Sequence, residues 1–237
     1  MGTAPAKSPP RKIAGRKPPS RRVSPKEKAR VAEIFRRFAE ATAEPRTELD
    51  YASPYTLLVA VALSAQATDI SVNKATRRLY QVADTPAAMV ALGEAGLTDF
   101  IKSIGLYRTK AKNVIALSNI LLARYGGEVP LDRAALESLP GVGRKTASVV
   151  LNELEVEPAI AVDTHVFRVS HRLKLSNAPT PEGVERDLMV ITPEPYRTRA
   201  HHWLILHGRY TCIARRPRCA ACLVADLCPS RELFLGA

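Results

Sequence analysis

The apolar residues of this 237-residue chain recur every three or four positions from residue 26 onward, which is the spacing of helices that pack on a core. The first group is Val31, Ile34, Phe35 and Phe38, on one face of a helix that we expect to end before Pro45. The sequence lacks the sustained apolar and polar alternation of half-buried strands. The pattern therefore predicts an all-α fold.

Local start and stop signals divide the rest of the chain into further helices. Ser53 followed by Pro54 is typical of an N-cap and a first helical position, and Gly126 with Gly127 is typical of a helix end. The predicted segments are 57–63, 69–80, a short helix from Thr85 and Pro86, then 108–125, 132–138, 143–155, 163–174, 181–191 and 196–207. The helix at 108–125 should place one apolar face on the core, made of Val114, Ile115, Leu117, Leu121 and Leu122.

Composition and charge indicate the kind of partner. An apolar fraction of 46% and a charged fraction of 24% are ordinary globular values, which excludes wholesale disorder and a fibrous repeat. Lys and Arg number 35 against 23 Asp and Glu, so the net charge is +12. Such a charge is expected of a protein that binds a polyanion, for example a nucleic acid.

Much of the excess charge lies in residues 1–25. This stretch holds seven basic residues, no acidic residue and six prolines, which leaves +5 on the rest of the chain. Because prolines forbid a continuous helix and little apolar surface is present, we expect a disordered basic tail that adds affinity for nucleic acid; an organellar transit peptide is the alternative. The chain has no apolar core of a secretory signal and no run near the ~18 apolar residues of a membrane span. We therefore expect an intracellular protein, cytoplasmic or in the nucleoid if bacterial, and no membrane partner.

The four cysteines, Cys212, Cys219, Cys222 and Cys228, all lie within the last 26 residues with the spacing C-x6-C-x2-C-x5-C. Thiols this close together could form disulfides, enclose a tetrahedral zinc ion or hold an iron–sulfur cluster. Disulfides are disfavoured because no signal peptide points to an oxidising compartment. Structural zinc sites usually pair two short C-x2-4-C segments, and here only Cys219 and Cys222 form one, so the spacing favours iron–sulfur while leaving zinc open.

Three arginines, Arg215, Arg216 and Arg218, lie between the first two cysteines. They could neutralise a negatively charged cluster, or they could project from a metal-held loop onto phosphates. We favour phosphate contacts, because guanidinium groups at a nucleic-acid surface release counterions. The sequence leaves open whether a cluster here would also transfer electrons.

The segment LPGVGRKTA at 139–147 lies between two short predicted helices. Gly141 and Gly143 remove side-chain bulk where a tight turn around Val142 would bring backbone N–H groups against another molecule. Those donors meet the positive end of the following helix, which makes an anion site that grips phosphate without reading sequence. An ordinary turn between helices is the alternative interpretation.

Lys145 and Asp163 are the candidates for chemistry. Lys145 falls in the first turn of a helix, where the helix dipole disfavours an ammonium ion; if also desolvated, the neutral amine could form a Schiff base. A phosphate-binding lysine is the alternative. Asp163 precedes a predicted helix and could be a plain N-cap, or a capping carboxylate that also faces a cleft and stabilises positive charge.

Several motifs together give the chain a family resemblance. The hairpin LPGVGRKTASVVLNE, the runs IAVDTHVFRV and HHWLILHGRYTC, the cysteine spacing, LSAQATD at 63–69 and IGLYRTKA at 104–111 resemble the endonuclease III family. These are bifunctional DNA glycosylases and abasic-site lyases of the helix-hairpin-helix superfamily. The resemblance covers almost everything beyond residue 26.

The resemblance implies a bilobed all-α fold with DNA in the cleft. One lobe would be a six-helix barrel at 47–157, with the helix-hairpin-helix at about 132–155. The other would join residues 26–46 to 158–237 and carry a [4Fe-4S] cluster on the four cysteines. Lys145 would be the nucleophile and Asp163 the essential carboxylate.

The resemblance also implies DNA contacts that the residue pattern does not indicate. Gln66 and Leu106 would enter the duplex when the damaged nucleotide is flipped out, and His165 would lie near the strand. From the pattern alone, Gln66 ends an apolar helix, Leu106 is a core leucine and His165 is a solvated neighbour of a helix cap.

The implied activity is excision of oxidised pyrimidines from duplex DNA through a lysine Schiff base, followed by β-elimination at the abasic site, by a monomer. One alternative is a monofunctional glycosylase like the adenine-excising relatives, which lack a lysine at the position of Lys145. Another is a non-catalytic iron–sulfur module that binds DNA.

Overall fold

The computed structural model describes residues 23–234, and its regular elements in that range are all helical. Ser24 and Pro25, at the end of the predicted tail, are the N-cap and the first residue of α1, and Val23 before them packs against the second core; residues 1–22 of that tail lie outside the described residues. None of the helices in this part of the chain is long and apolar enough to span a bilayer. The helices are α1 (Pro25–Ala41), α2 (Pro54–Ser64), α3 (Asp69–Leu79), α4 (Pro86–Ile101), α5 (Tyr107–Tyr125), α6 (Arg133–Glu137), α7 (Arg144–Glu153), α8 (Thr164–Arg172), α9 (Pro181–Ile191) and α10 (Arg197–Tyr210), with short 3-10 turns at Glu194–Tyr196, Cys219–Ala221, Ala225–Leu227 and Arg231–Phe234.

Local chemistry fixes most helix starts. In α2, Ser53 Oγ accepts the N–H of Thr56 at 3.2 Å and Thr56 Oγ1 accepts the N–H of Ser53 at 2.8 Å, which is a capping box, and Pro54 follows. In six other helices the N-cap side chain accepts the N–H three residues on; these caps are Ser24, Thr68, Thr85, Asp132, Asp163 and Thr180. Such caps are readable from sequence, which is why the predicted starts agree closely with the structure.

Two hydrophobic cores organise the fold. Helices α2 to α7 enclose the first, where α2 is buried along nearly its whole length because its residues are apolar on every face. Helices α1, α8, α9 and α10 enclose the second, so the first helix of the chain packs with the last ones. Trp203 of α10 joins the segment after α1 by donating its indole N–H to the carbonyl of Thr42 at 2.8 Å. The chain passes from the first core to the second between α7 and α8, and a cleft lies there.

The helix that starts at Pro86 is short, as predicted, because Gly93, with φ of 72° and ψ of 170°, has non-helical geometry and separates it from the helical residues that continue to Ile101. One prediction about the first core was wrong in detail. On α5, Leu122 is 39% exposed and Ile115 is half-buried, so the buried face is narrower than the apolar pattern. Val114, Leu117 and Leu121 form the buried stripe, at the three- and four-residue spacing of one helix face.

Candidate active site

The turn between α6 and α7 presents a row of unpaired backbone donors. Within the described residues, the N–H groups of Gly141, Gly143 and the first three residues of α7 make no backbone or side-chain hydrogen bond. Gly143 is the N-cap of α7 and offers no capping side chain. Donors at the positive end of a helix form an anion site, so the geometry has the form the sequence predicts.

The two glycines of this turn differ in whether a residue with a side chain would fit in their place. Gly141 has a φ of 79°, and a Cβ there would lie 2.9 Å from the side chain of Asn113 on α5. Gly143 has an ordinary extended backbone with open space around it. Val142 was expected to contact phosphate, but its side chain is buried in the first core. Its N–H donates to the carbonyl of Leu139 at 3.1 Å. It anchors the turn and has no free N–H for a phosphate.

Lys145 and Asp163 face the same cleft, of about 780 Å³, between the two cores. Lys145 lies in the first turn of α7 with an exposed side chain, so the desolvation considered for it is not present in this structure. Asp163 is the N-cap of α8, and its Oδ1 accepts the N–H of Val166 at 2.7 Å. It is half-buried on the cleft wall, so capping and facing the cleft occur together.

Gln66 lies on the loop between α2 and α3, and Leu106 lies on the neighbouring loop between α4 and α5. Both have a left-handed backbone, with φ of 55° and 59°, which costs energy for a residue with a side chain. A Cβ on Gly105 would lie 3.7 Å from the carbonyl oxygen of Gln66, so the loops are in contact. Leu106 is 60% exposed, which corrects its assignment to the core. The packing of the folded chain therefore does not account for the strained backbone of this exposed leucine.

His165 is the second residue of α8, at a point where this helix packs closely against α10. Its ring lines the cleft, and its Nδ1 lies 3.2 Å from the guanidinium of Arg168. A Cβ on Gly208 of α10 would lie 2.9 Å from the Cβ of His165, so this contact requires glycine. The histidine is therefore fixed by packing as well as by Arg168.

The four cysteines line a single cavity in the second lobe, and none of their thiols is in a disulfide. Arg172 of α8 holds the loop that follows the first cysteine: its guanidinium lies 3.4 Å from Cys212 Sγ and donates to the carbonyls of Ile213 at 2.8 Å and Ala214 at 2.7 Å. Its charge also lies 4.3 Å from the ring centre of Phe234. The loop beyond is solvent-facing, with the predicted arginines Arg215, Arg216 and Arg218 exposed.

Comparison with known proteins settles the family. Residues 59–194 match the HhH-GPD superfamily of base excision DNA repair proteins, and residues 212–228 match the iron–sulfur binding domain of endonuclease III. Endonuclease III of Escherichia coli K12 is 57% identical over 205 residues, which cover 86% of this chain and 97% of that protein. This chain belongs to the endonuclease III family.

Solved structures of endonuclease III bound to DNA resemble the present fold. A trapped covalent endonuclease III–DNA intermediate matches with a TM-score of 0.81 and 42% identity, over 88% of this chain and 98% of that one. A non-covalent endonuclease III–DNA complex matches with a TM-score of 0.82 and 42% identity, over 89% and 99%. The all-α, two-core architecture is therefore the helix-hairpin-helix glycosylase fold of endonuclease III.

The cysteine cavity fits the [4Fe-4S] cluster of endonuclease III. Burial, and the neighbouring sulfurs, raise the pKa of the Cys222 and Cys228 thiols, so thiolates here need a positively charged partner. Four cysteines that line one cavity can supply the four thiolates that hold a [4Fe-4S] cluster.

Sequence reasoning missed the arginines that brace the site. Arg172 and Arg168 hold the carbonyl groups around Cys212, and Arg209 of α10 lines the active-site cleft. Arg209 Nη1 lies 2.6 Å from Asp69 Oδ2 on the first turn of α3. As predicted, α3 starts at Asp69; Thr68 before it is the N-cap, so the carboxylate of Asp69 is available to pair with Arg209. No local pattern indicated this pair, because its two residues are 140 positions apart.

Proposed function

We propose that the cleft between the two cores is the active site of a base excision DNA glycosylase and abasic-site lyase, with Lys145 as its nucleophile. The observation that carries this proposal is that Lys145 and Asp163, at the starts of two different helices, face one cleft wide enough for a flipped nucleotide. The phosphate-gripping turn directly precedes Lys145. In the endonuclease III family, one relative was trapped as a covalent intermediate with DNA.

Binding comes first in this mechanism. The free N–H groups of Gly143 and the start of α7 hold one phosphate, and exposed Arg215, Arg216 and Arg218 add contacts to the backbone. Extruding a base costs a few kcal/mol, less where damage has already weakened the pair. Gln66 and Leu106 offset this cost by filling the gap and separating the opposite base.

Covalent chemistry follows at C1′ of the flipped nucleotide. Lys145 Nζ bonds to C1′ while the C1′–N glycosidic bond breaks, and the base leaves with a proton. Asp163 accepts a proton from the attacking amine and stabilises the positive charge that develops on the sugar. The sugar ring opens to give a Schiff base, which acidifies the C2′ proton. Loss of that proton expels the 3′ phosphate, and water then releases Lys145.

The iron–sulfur cluster would be held by Cys212, Cys219, Cys222 and Cys228. When bound, it supplies a covalent cross-link between the ends of the arginine-bearing loop. Arg172 then contributes from the protein side, because it fixes the loop carbonyls and balances the negative charge of the thiolates.

We further propose the substrates, the oligomeric state, the cellular location and the domain boundaries of the protein. Oxidised pyrimidines and abasic sites in duplex DNA are its substrates, a monomer is the working unit, and its place is the cytoplasm or nucleoid. The lobes are taken as 47–157 for the barrel and 26–46 with 158–237 for the cluster domain. A lysine at the hairpin position disfavours a monofunctional glycosylase, and a cleft that joins lysine and carboxylate disfavours a non-catalytic module.

Borohydride trapping tests this function. The holoprotein is incubated with a thymine-glycol or an abasic duplex, and the reductant converts the Schiff base into a stable adduct. We expect an adduct with the wild type and none with Lys145→Ala. Lys102→Ala is the matched control, because Lys102 is an exposed lysine paired with Asp99 at the end of α4 and should trap like the wild type. A monofunctional enzyme would release the base without an adduct, and a binding module would do neither.

A further inference from the structure

His201 is a buried histidine in the wall of the active-site cleft. It lies on α10, it is 5% exposed, and its side chain lines the same cleft as Lys145 and Asp163. The reaction described above gives it no role. Burying an imidazole in the wall of a cleft is costly unless its hydrogen bonds are satisfied.

One nitrogen of this imidazole is committed to the backbone. His201 Nδ1 lies 2.8 Å from the carbonyl oxygen of Ala161. A carbonyl oxygen can only accept, so Nδ1 carries the hydrogen and donates it. In an uncharged ring, Nε2 on the opposite edge is then a hydrogen-bond acceptor.

The hydrogen bond from His201 fixes the segment that presents Asp163. Ala161 lies two residues before that aspartate, and the N–H of Ala159, two residues earlier still, donates to Asn152 Oδ1 at 3.1 Å. Asn152 is on α7, the helix that begins beside Lys145. The backbone before Asp163 is thus hydrogen-bonded to α7 at Ala159 and to α10 at Ala161.

The adjacent histidine faces elsewhere and supplies a comparison. His202 Nε2 lies 2.9 Å from Glu153 Oε2, and both side chains line a separate polar pocket with Tyr51. The rings of His201 and His202 meet edge to face, with centroids 5.1 Å apart. The two neighbouring histidines are therefore buried to a similar extent, but His201 lines the active-site cleft and His202 lines the separate pocket.

The charged groups that face His201 come from three elements: Lys145 from α7, Asp163 from the start of α8 and His202 from its own helix. Burial, and after it the charge of His202, lower the pKa of His201 to about 4, while Asp163 acts in the opposite direction. The imidazole is therefore uncharged near neutral pH, and its Nε2 keeps a lone pair.

We propose that His201 is a positioning residue for the lysine chemistry, in which Nδ1–H holds the backbone that presents Asp163 and Nε2 accepts a hydrogen bond from the Lys145 amine. An acceptor beside the amine orients one N–H, which turns the nitrogen lone pair towards C1′. This inference rests on the proposed roles of Lys145 and Asp163.

Steady-state kinetics of strand cleavage at an abasic duplex test the role. His201→Asn keeps an N–H near the position of Nδ1 but has no acceptor at the position of Nε2. We expect its kcat to fall at least tenfold with KM within twofold of wild type. His202→Gln, which can still donate to Glu153, is the matched control and should keep kcat within twofold. Unchanged kcat in folded His201→Asn, with only a lower melting temperature, would assign His201 a purely structural role and overturn the proposal.

A second measurement keeps the proposal testable if His201→Asn does not fold. In the ¹⁵N-histidine-labelled wild-type holoprotein, long-range NMR correlations distinguish the two tautomers. We expect one buried histidine in the Nδ1–H form, without titration, from pH 5.5 to pH 8. An Nε2–H tautomer for every buried histidine, or titration of all of them within that range, would overturn the proposal. Failure of wild type to form a borohydride adduct would instead defeat the lysine mechanism itself.

Discussion

The guanidinium of Arg209 donates to the carboxylate of Asp69 across the cleft, with Nη1 and Oδ2 2.6 Å apart. Arg209 lies on α10 in the second lobe and Asp69 at the start of α3 in the first, three residues after Gln66. Glu48 accepts a second hydrogen bond from the same guanidinium. The contact therefore connects the wall of the active site to the loop that is expected to enter the duplex.

Arg209→Ala should destabilise the protein by about 1 to 3 kcal/mol, because two partly buried carboxylates lose their shared donor. Urea unfolding of the holoprotein measures this change. Combining it with Asp69→Asn should cost less than the sum of the single changes. Arg36→Ala, which removes exposed ion pairs within α1, is the control and should leave the unfolding free energy nearly unchanged. Strictly additive effects at Asp69 and Arg209 would show that the pair is not coupled.

The two glycines of the hairpin should respond differently to alanine. Gly141→Ala meets a φ of 79° and the side chain of Asn113, so we expect a loss of about 1 to 3 kcal/mol in folding stability. Gly143→Ala should leave stability within about 0.5 kcal/mol, because its backbone is extended and its surroundings are open. It should nevertheless weaken DNA binding, since a methyl group then lies where the phosphate approaches. Thermal unfolding and fluorescence anisotropy with an abasic-analogue duplex separate the two effects; equal DNA affinity in Gly143→Ala would argue against a phosphate at this turn.

Leu106→Gly should stabilise the folded protein while impairing the enzyme. Glycine removes the cost of a left-handed leucine, about 1 kcal/mol, and little buried surface is lost at a residue that is 60% exposed. Without the side chain, separation of the base opposite the lesion becomes less favourable. Excision from duplex DNA should therefore slow several-fold, and excision from a single strand should not. Equal slowing on both substrates would indicate that Leu106 does not act on the duplex.

Acid should destabilise the fold through His201. Its folded-state pKa of about 4 lies below the ordinary value of 6.5, so the unfolded chain binds a proton that the folded chain excludes. Stability is then complete above the ordinary value and falls as the pH drops towards 4, by on the order of 2 kcal/mol between pH 7 and pH 5. Unfolding free energies of the wild type and His201→Asn across that interval measure the effect, and identical pH slopes would contradict it.

Sequence predicted what is local. The N-cap at Ser53 and the proline after it place α2, because capping depends on residues three apart, and the predicted segment 181–191 coincides with α9. Thr85 and Pro86 place the start of a short helix in the same way, and the non-helical Gly93 ends it. Periodicity, by contrast, assigned Leu106 to the core, whereas the turn before α5 exposes it.

The site was predicted in part. Motifs named Lys145 and Asp163, and the fold brings both to one cleft. The pairing of Arg209 with Asp69 spans 140 residues, and the bond of His201 to Ala161 spans 40, so neither leaves a local pattern. Such contacts follow from how two cores pack against each other, which a residue pattern does not encode.

The central claim is that Lys145 becomes bonded to deoxyribose during turnover. Peptide mapping by mass spectrometry of the borohydride-reduced complex with an abasic duplex measures this directly. We predict that the sugar remnant is attached to Nζ of Lys145 in the peptide that contains the start of α7. A remnant found on a different lysine or on the amino terminus, with Lys145 unmodified, would contradict the account.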